Sequence, residues 1–272
     1  MDNSNLVSIL VLSYNNLQYI KDCLNSILEQ NYPCIEIVIS DDFSSNFQKN
    51  EIKEYIESNK KDNLINYIIN QNPCNLGIVK NLNNAISLAT GNYFINLACD
   101  DVLFDNQVIS TIIDFYSKTN YLVAAGHVAQ YDEQLKGCLL TTPTWEYIKY
   151  TYGNPIDCYK KLCAGNFIPS PGMSYKRELI NRYGMYDEEY TLVEDYPRWL
   201  YLTRNGCSIG YIDRFIVKYR KGGISNNRDA KTDKIFKDDL ELVRKKEILP
   251  YIDSIKDVIY KEDLNENSPN KG

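Results

Sequence analysis

Three pairs of neighbouring acids could do chemistry in this chain: Asp41-Asp42, Asp100-Asp101 and Glu194-Asp195. The first two follow apolar runs, Ile35-Glu36-Ile37-Val38-Ile39-Ser40 and Tyr93-Phe94-Ile95-Asn96-Leu97-Ala98, that read as short buried strands. Adjacent carboxylates repel, so such a pair needs a cation or a donor-rich ligand to hold it, and the carboxyl end of a strand is where ligands sit in an open α/β sheet. A solvated strand-to-helix turn, with Asp105 capping the next helix, is the alternative for Asp100-Asp101. The third pair precedes Pro197, which belongs in the first turn of a helix, so Asp195 falls at or beside an N-cap. That position is expected to keep its carboxylate ionised, through the helix dipole and free N–H groups.

The elements that must position these acids follow from periodicity. Residues 6–13 form a near-continuous apolar run, the pattern of a central strand covered on both faces. Leu17, Ile20, Leu24, Ile27 and Leu28 make one helical stripe that ends at Asn31-Tyr32-Pro33. A polar helix at about 47–60, a strand at 64–69 and a helix at 79–89 follow, the last closed by Thr90-Gly91 in the manner of a glycine cap. Strands alternating with helices imply right-handed crossovers and a mostly parallel sheet. Further on, the pattern predicts a helix at 105–116, a strand at 121–129 and a polar, aromatic insertion at 131–151 that contains Trp145. A strand at 173–175 and a helix at 177–183 come next. Two short strands, 208–212 and 215–219, flank an Asp213-Arg214 turn, and an amphipathic helix spans 235–248 before a polar tail.

Composition narrows the classes of function. A net charge of -6 over 272 residues argues against nucleic acid as a partner. No run approaches the roughly 18 apolar residues of a membrane span, and Met1-Asp2-Asn3-Ser4-Asn5 does not resemble a signal peptide, so a cytoplasmic protein is expected. The eight cysteines contain no C-x-x-C pair and read as free, mostly buried thiols; the one histidine, His127, lies in an apolar strand and reads as a satisfied core residue. There is no G-x-G-x-x-G after the first strand and no G-x-x-x-x-G-K-[ST], which disfavours dinucleotide dehydrogenases and P-loop NTPases. A nucleotide diphosphate bound without a glycine loop needs positive charge from elsewhere, and Mg²⁺ or Mn²⁺ on a carboxylate supplies it.

Four segments, in order, carry a resemblance: Val7-Ser8-Ile9-Leu10-Val11-Leu12-Ser13-Tyr14-Asn15, Ser40-Asp41-Asp42-Phe43-Ser44-Ser45, Asn75-Leu76-Gly77 with Asn83, and Ala98-Cys99-Asp100-Asp101. Together they resemble the signatures of the GT-A glycosyltransferases of family 2, inverting enzymes that use nucleotide-sugars. The resemblance covers roughly residues 6–225 and implies an α/β fold of GT-A type, its mostly parallel central sheet flanked by helices. A Rossmann-like nucleotide-sugar half (1–104) would be fused to an acceptor-binding and catalytic half (105–228), followed by a C-terminal helix and tail (229–272).

It further implies that Ser13, Tyr14, Asn15, Asp41, Asp42, Gly77 and Asn83 surround the nucleotide, Tyr14 lying against the base and Asp42 accepting from it. Asp100 would lie near the ribose or sugar, and Asp101 would bind the divalent metal, Mn²⁺ or Mg²⁺. The segment Tyr219-Arg220-Lys221-Gly222-Gly223-Ile224-Ser225 is similar to the family's Y-R-x-H-x-x-S segment near the diphosphate, so Arg220 and Lys221 could supply charge and Ser225 a hydroxyl. Asp195 takes the place of the catalytic base, with Glu194, Trp145 and Trp199 beside the acceptor sugar. For Asp195 a simple helix cap, for Trp145 core filling and for Lys221 a solvated turn are the alternatives. The chain departs from the family pattern at Ala98, which replaces the first acid of D-x-D-D, at Leu82, where a basic residue is common, and in lacking the histidine after Arg220.

The implied activity is inverting transfer from a nucleotide-sugar, UDP-linked, to a glycan or lipid-linked saccharide in surface polysaccharide or glycoconjugate synthesis. A polyprenyl-phosphate sugar synthase and a non-catalytic sugar-nucleotide-binding subunit are the other readings. The terminal amphipathic helix leaves room for peripheral contact with the inner face of a membrane, and a homodimer stays open. Loss of Asp42 is expected to weaken nucleotide binding and to leave the fold intact.

Overall fold

The computed structural model describes residues 5–143, 148–150, 153–222 and 229–254. Its first half alternates strand and helix: β1 (Val7–Ser13), α1 (Ile20–Leu28), β2 (Ile35–Asp41), α2 (Lys49–Asn59), β3 (Leu64–Gln71), α3 (Ile78–Leu88) and β4 (Tyr93–Ala98). The second half runs β5 (Val102–Leu103), α4 (Val108–Lys118), β6 (Val123–Tyr131), β7 (Cys138–Thr142), α5 (Pro155–Leu162), β8 (Ser174–Lys176), α6 (Arg177–Tyr183), α7 (Asp195–Arg204), β9 (Gly210–Arg220) and α8 (Ala230–Val243). The strands join in one sheet of order β3-β2-β1-β4-β8-β6-β9-β5, with β7 added beside β6.

β3, β2, β1 and β4 are mutually parallel, as their crossover helices require, and β6 is parallel to β9. The short β8 is inserted antiparallel between β4 and β6. The resulting sheet is mostly parallel, as expected. β1 and β2 are apolar without alternation because both faces are covered. One face packs on α1, α2 and α4 around Ile9, Ile37 and Ile95, and the other on α3, α5, α6 and α7 around Leu10, Val38 and Phe94.

Several sequence expectations are corrected. In place of two strands, 208–212 and 215–219, one bulged strand spans Gly210–Arg220, because Asp213 and Arg214 are extruded where β9 passes from pairing Ile212 with Gly126 to pairing Phe215 with His127. The insertion after residue 131 contains β7, which folds back antiparallel on β6. The terminal helix begins at Ala230, where Asp229 caps it by accepting from Thr232 N, and it widens into a π-helical turn over Arg244–Ile248. Gly91 does not close α3 in a left-handed conformation. A Cβ there would lie 2.5 Å from Ser8 Oγ and 2.6 Å from Leu6 O, so this glycine permits close approach of two strands. His127 is a satisfied side chain, its Nε2 lying 2.8 Å from Asp213 Oδ1, and all eight cysteines are free thiols.

A buried carboxylate ties the amino end of the sheet together. Glu36 on β2 is fully buried and accepts from Ser8 Oγ on β1 (2.6 Å), Asn66 Nδ2 on β3 (3.1 Å), and Thr90 N and Oγ1 (2.7 Å each) just before β4. Burial alone would raise its pKa, but the donors more than offset this and hold it below the usual glutamate value. Its contribution is therefore present above the unfolded-state pKa and is lost as pH falls through the lower folded value. Glu36→Gln is expected to destabilise the chain by about 1–3 kcal/mol at pH 7. The difference from wild type should shrink towards acid pH, as measured by urea unfolding at a series of pH values; a pH-independent difference would contradict this account.

Candidate active site

The carboxyl ends of β1, β2 and β4 converge, and each acid there has a distinct environment. Asp41 is fully buried and its carboxylate is committed to structure. Oδ1 accepts from Ser13 Oγ (2.8 Å) and Ser44 Oγ (2.5 Å), and Oδ2 from Ser44 N (2.7 Å) and Gln71 Nε2 (3.1 Å). Ser13 therefore serves the same network. Asp42, also buried, accepts from Asn72 Nδ2 (2.9 Å) and Leu76 N (2.9 Å) on Oδ1 and from Gly77 N (2.8 Å) on Oδ2. It holds the turn that starts α3. Its removal would take this acceptor from Leu76 N, while Gly77 N keeps Asn75 Oδ1 (3.1 Å) and Asn72 Nδ2 keeps Asn81 Oδ1 (2.9 Å), so Asp42→Ala is expected to loosen this turn.

Gly77 has φ +87°, and a Cβ would lie 2.7 Å from Thr191 Cγ2 and 2.9 Å from Thr191 O, so glycine is required twice over. Asn83 reaches the same distant segment: Nδ2 donates to Tyr186 O (2.9 Å) and Glu188 Oε1 (3.0 Å), and Oδ1 accepts from Tyr186 N (3.1 Å). Between the β1 and β2 ends, Asn15 adopts φ 53° and cross-links the loops, its N donating to Ser44 Oγ at 2.8 Å. Tyr14 projects from this rim, 38% exposed.

At the end of β4, Asp101 is almost wholly buried and accepts from Arg220 N at 2.8 Å, while Asp100 is half-buried. Burial raises the pKa of both, and Asp101, with the Asp100 charge beside it, lies well above the ordinary aspartate range. Among the described residues no group of three or more His, Cys, Asp or Glu side chains gathers to hold a metal. The pair nonetheless fits a hard divalent cation that takes one or two protein carboxylates and fills its shell with phosphate oxygens and water, and such a charge would relieve the desolvation.

Arg220 differs from expectation. Its guanidinium is 4% exposed and is committed to protein acceptors: Nε donates to Asp100 O (2.8 Å), Nη2 to Asp22 (2.9 Å) and Nη1 to Glu133 O, while the plane lies 4.2 Å from the Tyr19 ring centroid. It braces the acidic pair from behind instead of facing phosphates. Lys221 is exposed. Ser225 and Trp145 lie outside the described residues.

Glu194 and Asp195 open α7, and both are half-buried. Ser170 Oγ donates to Glu194 Oε1 (2.8 Å), Asn166 Nδ2 to Asp195 Oδ2 (2.9 Å), and Tyr196 N to Asp195 Oδ1 (2.7 Å). Burial, then the neighbouring Asp195 charge, pushes Glu194 up to about 8. Burial also raises Asp195, against the hydrogen bonds from Tyr196 N and Asn166. The helix start therefore does not set the ionisation of Asp195 as expected; desolvation outweighs it. Burial and the adjacent Asp195 charge thus favour the protonated form of Glu194 at neutral pH. Trp199 is 1% exposed and fills the core below α7, which removes it from any acceptor surface.

The loop carrying Asn166 and Ser170 also joins the third pair to the second. Gly172 N donates to Asn96 O (3.2 Å) and Asn96 N to Met173 O (3.0 Å), so the same loop runs along β4 just before Asp100. Sequence reasoning missed Asn166 and Ser170, which sit in a loop without periodicity. It also missed Phe43, which is 54% exposed at φ 71° on the rim that carries Tyr14. The sequence shows only an aromatic directly after Asp41-Asp42; its exposure and left-handed backbone are visible in the structure alone.

Comparison with known proteins agrees with this architecture. Residues 8–184 match the family described as "Glycosyl transferase family 2", and the chain belongs to that family. It is a glycosyltransferase. It is 27% identical over 230 residues to an uncharacterized glycosyltransferase of Haemophilus influenzae, covering 82% of this chain and 68% of that protein. It is also 27% identical over 202 residues to WcaA of Escherichia coli, named for colanic acid biosynthesis, covering 74% and 67%. Among solved structures, TarS of S. aureus superposes with a TM-score of 0.59 at 19% identity over 92% of this chain and 77% of that one, a likeness of fold. The same TarS fragment has been solved in complex with UDP-GlcNAc.

The strained, exposed Phe43 gives opposite expectations for fold and ligand. If its ring is held out to lie against a nucleobase, Phe43→Gly should raise the melting temperature by relieving the left-handed conformation, yet weaken UDP binding by about 1–3 kcal/mol, the scale of a lost base-stacking contact. Thermal unfolding and calorimetric titration with UDP check both; unchanged affinity would leave Phe43 a surface residue only.

Proposed function

We propose that this glycosyltransferase is an inverting enzyme that moves a sugar from a UDP-linked donor to a saccharide or lipid-linked acceptor during surface glycan synthesis. The observation that carries the reading is the placement of Glu194 and Asp195 at the start of α7, bonded by Ser170 and Asn166 of a loop that is itself bonded to the strand ending in Asp100-Asp101. The relatives named for colanic acid and teichuronic acid biosynthesis support the surface-glycan setting, and the TarS complex with UDP-GlcNAc supports a UDP-sugar.

Inversion is an in-line displacement at the anomeric carbon. Asp195, ionised and raised by burial, takes the proton of the attacking acceptor hydroxyl, and Asn166 fixes the orientation of its carboxylate. Glu194 stays protonated beside it, so the site avoids two adjacent negative charges and keeps a donor for an acceptor oxygen. Tyr14 and Phe43 offer faces for the base, and Asn15 and Gly77 shape the rim between them. Asp101, with Asp100, would hold Mn²⁺ or Mg²⁺, which when bound offsets the charge developing on the departing diphosphate. Lys221 is the exposed cation placed to add to that field.

Turnover of a panel of UDP-sugars with and without Mn²⁺ tests the reading. Asp195→Asn keeps shape and capping ability, so a base role predicts a loss of about 10²–10⁴-fold in kcat with UDP affinity and melting temperature retained; a capping role predicts near-wild-type activity. The acid limb of the pH–kcat profile should lie above the ordinary aspartate range, because the raised Asp195 loses its charge as pH falls through its folded pKa. Asp101→Asn should abolish the gain in UDP affinity that Mn²⁺ confers while metal-free UDP binding changes little. A variant that still responds fully to Mn²⁺ would place the metal elsewhere.

A further inference from the structure

We propose that Asp239, on the C-terminal helix α8, is a positioning residue for the Glu194-Asp195 pair, so that α8 serves turnover and not donor binding. The inference rests on the reading of Asp195 as the base. Residues 8–184 match the family, and α8 (Ala230–Val243) lies beyond them. Asp239 is 5% exposed on the buried side of that helix. Its Oδ2 accepts from three consecutive backbone amides, Thr191 N (3.0 Å), Leu192 N (2.7 Å) and Val193 N (3.0 Å), and its Oδ1 lies 3.2 Å from Thr191 N. Val193 is the residue before Glu194.

Three successive N–H groups that converge on one point form an anion-binding concavity, here filled by a side chain from another element. Without it, the partly buried amides lose the acceptor that holds them together, and the loop is expected to shift as they turn to water. The opposite side of the loop is already pinned: Val79 N donates to Thr191 O (3.3 Å), Gly77 abuts Thr191, and Asn83 holds Tyr186 and Glu188. The segment 186–193 is thus clamped between α3 and α8, and the acid pair leaves the clamp at its carboxyl end. Further contacts seat the C-terminal segment independently of Asp239. Lys246 pairs with Asp187 (2.5 Å) and Glu189 (3.0 Å), Arg204 with Glu247 (2.8 Å), and Tyr159 Oη donates to Glu247 O (2.7 Å). Loss of the Asp239 carboxylate should therefore free the loop without releasing the helix.

A general base must be held to a fraction of an ångström of its productive position, and a displacement of about 1 Å can cost on the order of 10²-fold in rate. Tyr14 and Phe43 make none of these contacts, and Gly77, which does abut Thr191, keeps its own bond to Asp42, so donor affinity should survive.

The test uses the full chain as wild type, Asp239→Asn, Asp239→Ala, Asp195→Asn and the Asp195→Asn/Asp239→Ala double variant. Ile112→Val, a core change on the far face of the sheet, controls for lost stability. Hydrogen exchange of the amides of residues 191–193, UDP affinity with Mn²⁺, and kcat and KM for the UDP-sugar that wild type consumes fastest are measured on each. The expected result is faster exchange at 191–193, graded from Asn to Ala, with UDP affinity within about twofold of wild type. A fall in kcat on the order of 10²-fold should accompany it in Asp239→Ala, and the double variant should be no slower than Asp195→Asn alone. The Ile112→Val control should keep its kcat. Faster amide exchange with kcat retained, a loss of kcat no greater than the control's, or a loss confined to UDP affinity would overturn the proposal. Should Asp239→Ala fail to fold, Asp239→Asn carries the same comparison. If Asp195→Asn keeps its activity, the base reading fails on its own evidence, independently of what Asp239 does to the loop.

Discussion

Backbone amides captured by a buried Asp42 are the constraint on which the geometry of this site depends. The carboxylate sits at the end of β2 and binds Leu76 N and Gly77 N, which fixes where α3 begins. Gly77 then lies hard against Thr191, too close for any side chain, and so meets the segment that delivers Glu194 and Asp195. One ionic hydrogen-bond cluster thereby sets the distance between the nucleotide rim and the proposed base. Were Asp42 free to turn towards a ligand, Leu76 N would lose this acceptor and Gly77 N would be left with Asn75 alone.

The same device recurs through the molecule. Glu36 at the amino end of the sheet, Asp41 and Asp42 at its carboxyl end, Asp101 at the end of β4 and Asp239 on α8 are all buried acids that accept from main-chain N–H groups. Such bonds hold loops that have no ladder of their own, and they are stronger than neutral ones wherever the acceptor is charged. Loops at the carboxyl ends of parallel strands carry the function of an α/β sheet yet lie outside its regular hydrogen bonding. Buried carboxylates supply the missing acceptors.

Where the acids lack donors, their charge becomes chemistry. Asp101 has Arg220 N but also Asp100 beside it, and its pKa rises; Glu194 has Ser170 but also Asp195, and its pKa rises to about 8. These are the two places to which the proposed mechanism assigns a cation and a proton, respectively. Arg220 tempers the first without occupying it, because its guanidinium is turned towards Asp22, Glu133 and Tyr19 and reaches the acidic pair through the backbone of Asp100.

The sequence by itself determined the alternation of strands and helices, the parallel half of the sheet, the strand-end positions of Asp41-Asp42 and Asp100-Asp101, and the helix start at Asp195. All of these follow from local periodicity, turn residues and proline geometry, which are properties of neighbours along the chain. Family membership was legible too, because four short segments occur in a fixed order. Only the tertiary structure decided what each polar group faces. Asp42 and Arg220 turn to protein partners, Trp199 goes into the core, and Gly210–Arg220 runs on as one strand through a bulge. It also brought Asn166 and Ser170 to the acid pair, and Asp239 to the amides of residues 191–193 just before it, from a loop and a helix distant in sequence. The ionisation of Glu194 and Asp195 depends on that assembly: a helix start favours the charged form, but the burial that outweighs it exists only once the loop at 166–173, α7 and α8 have packed together.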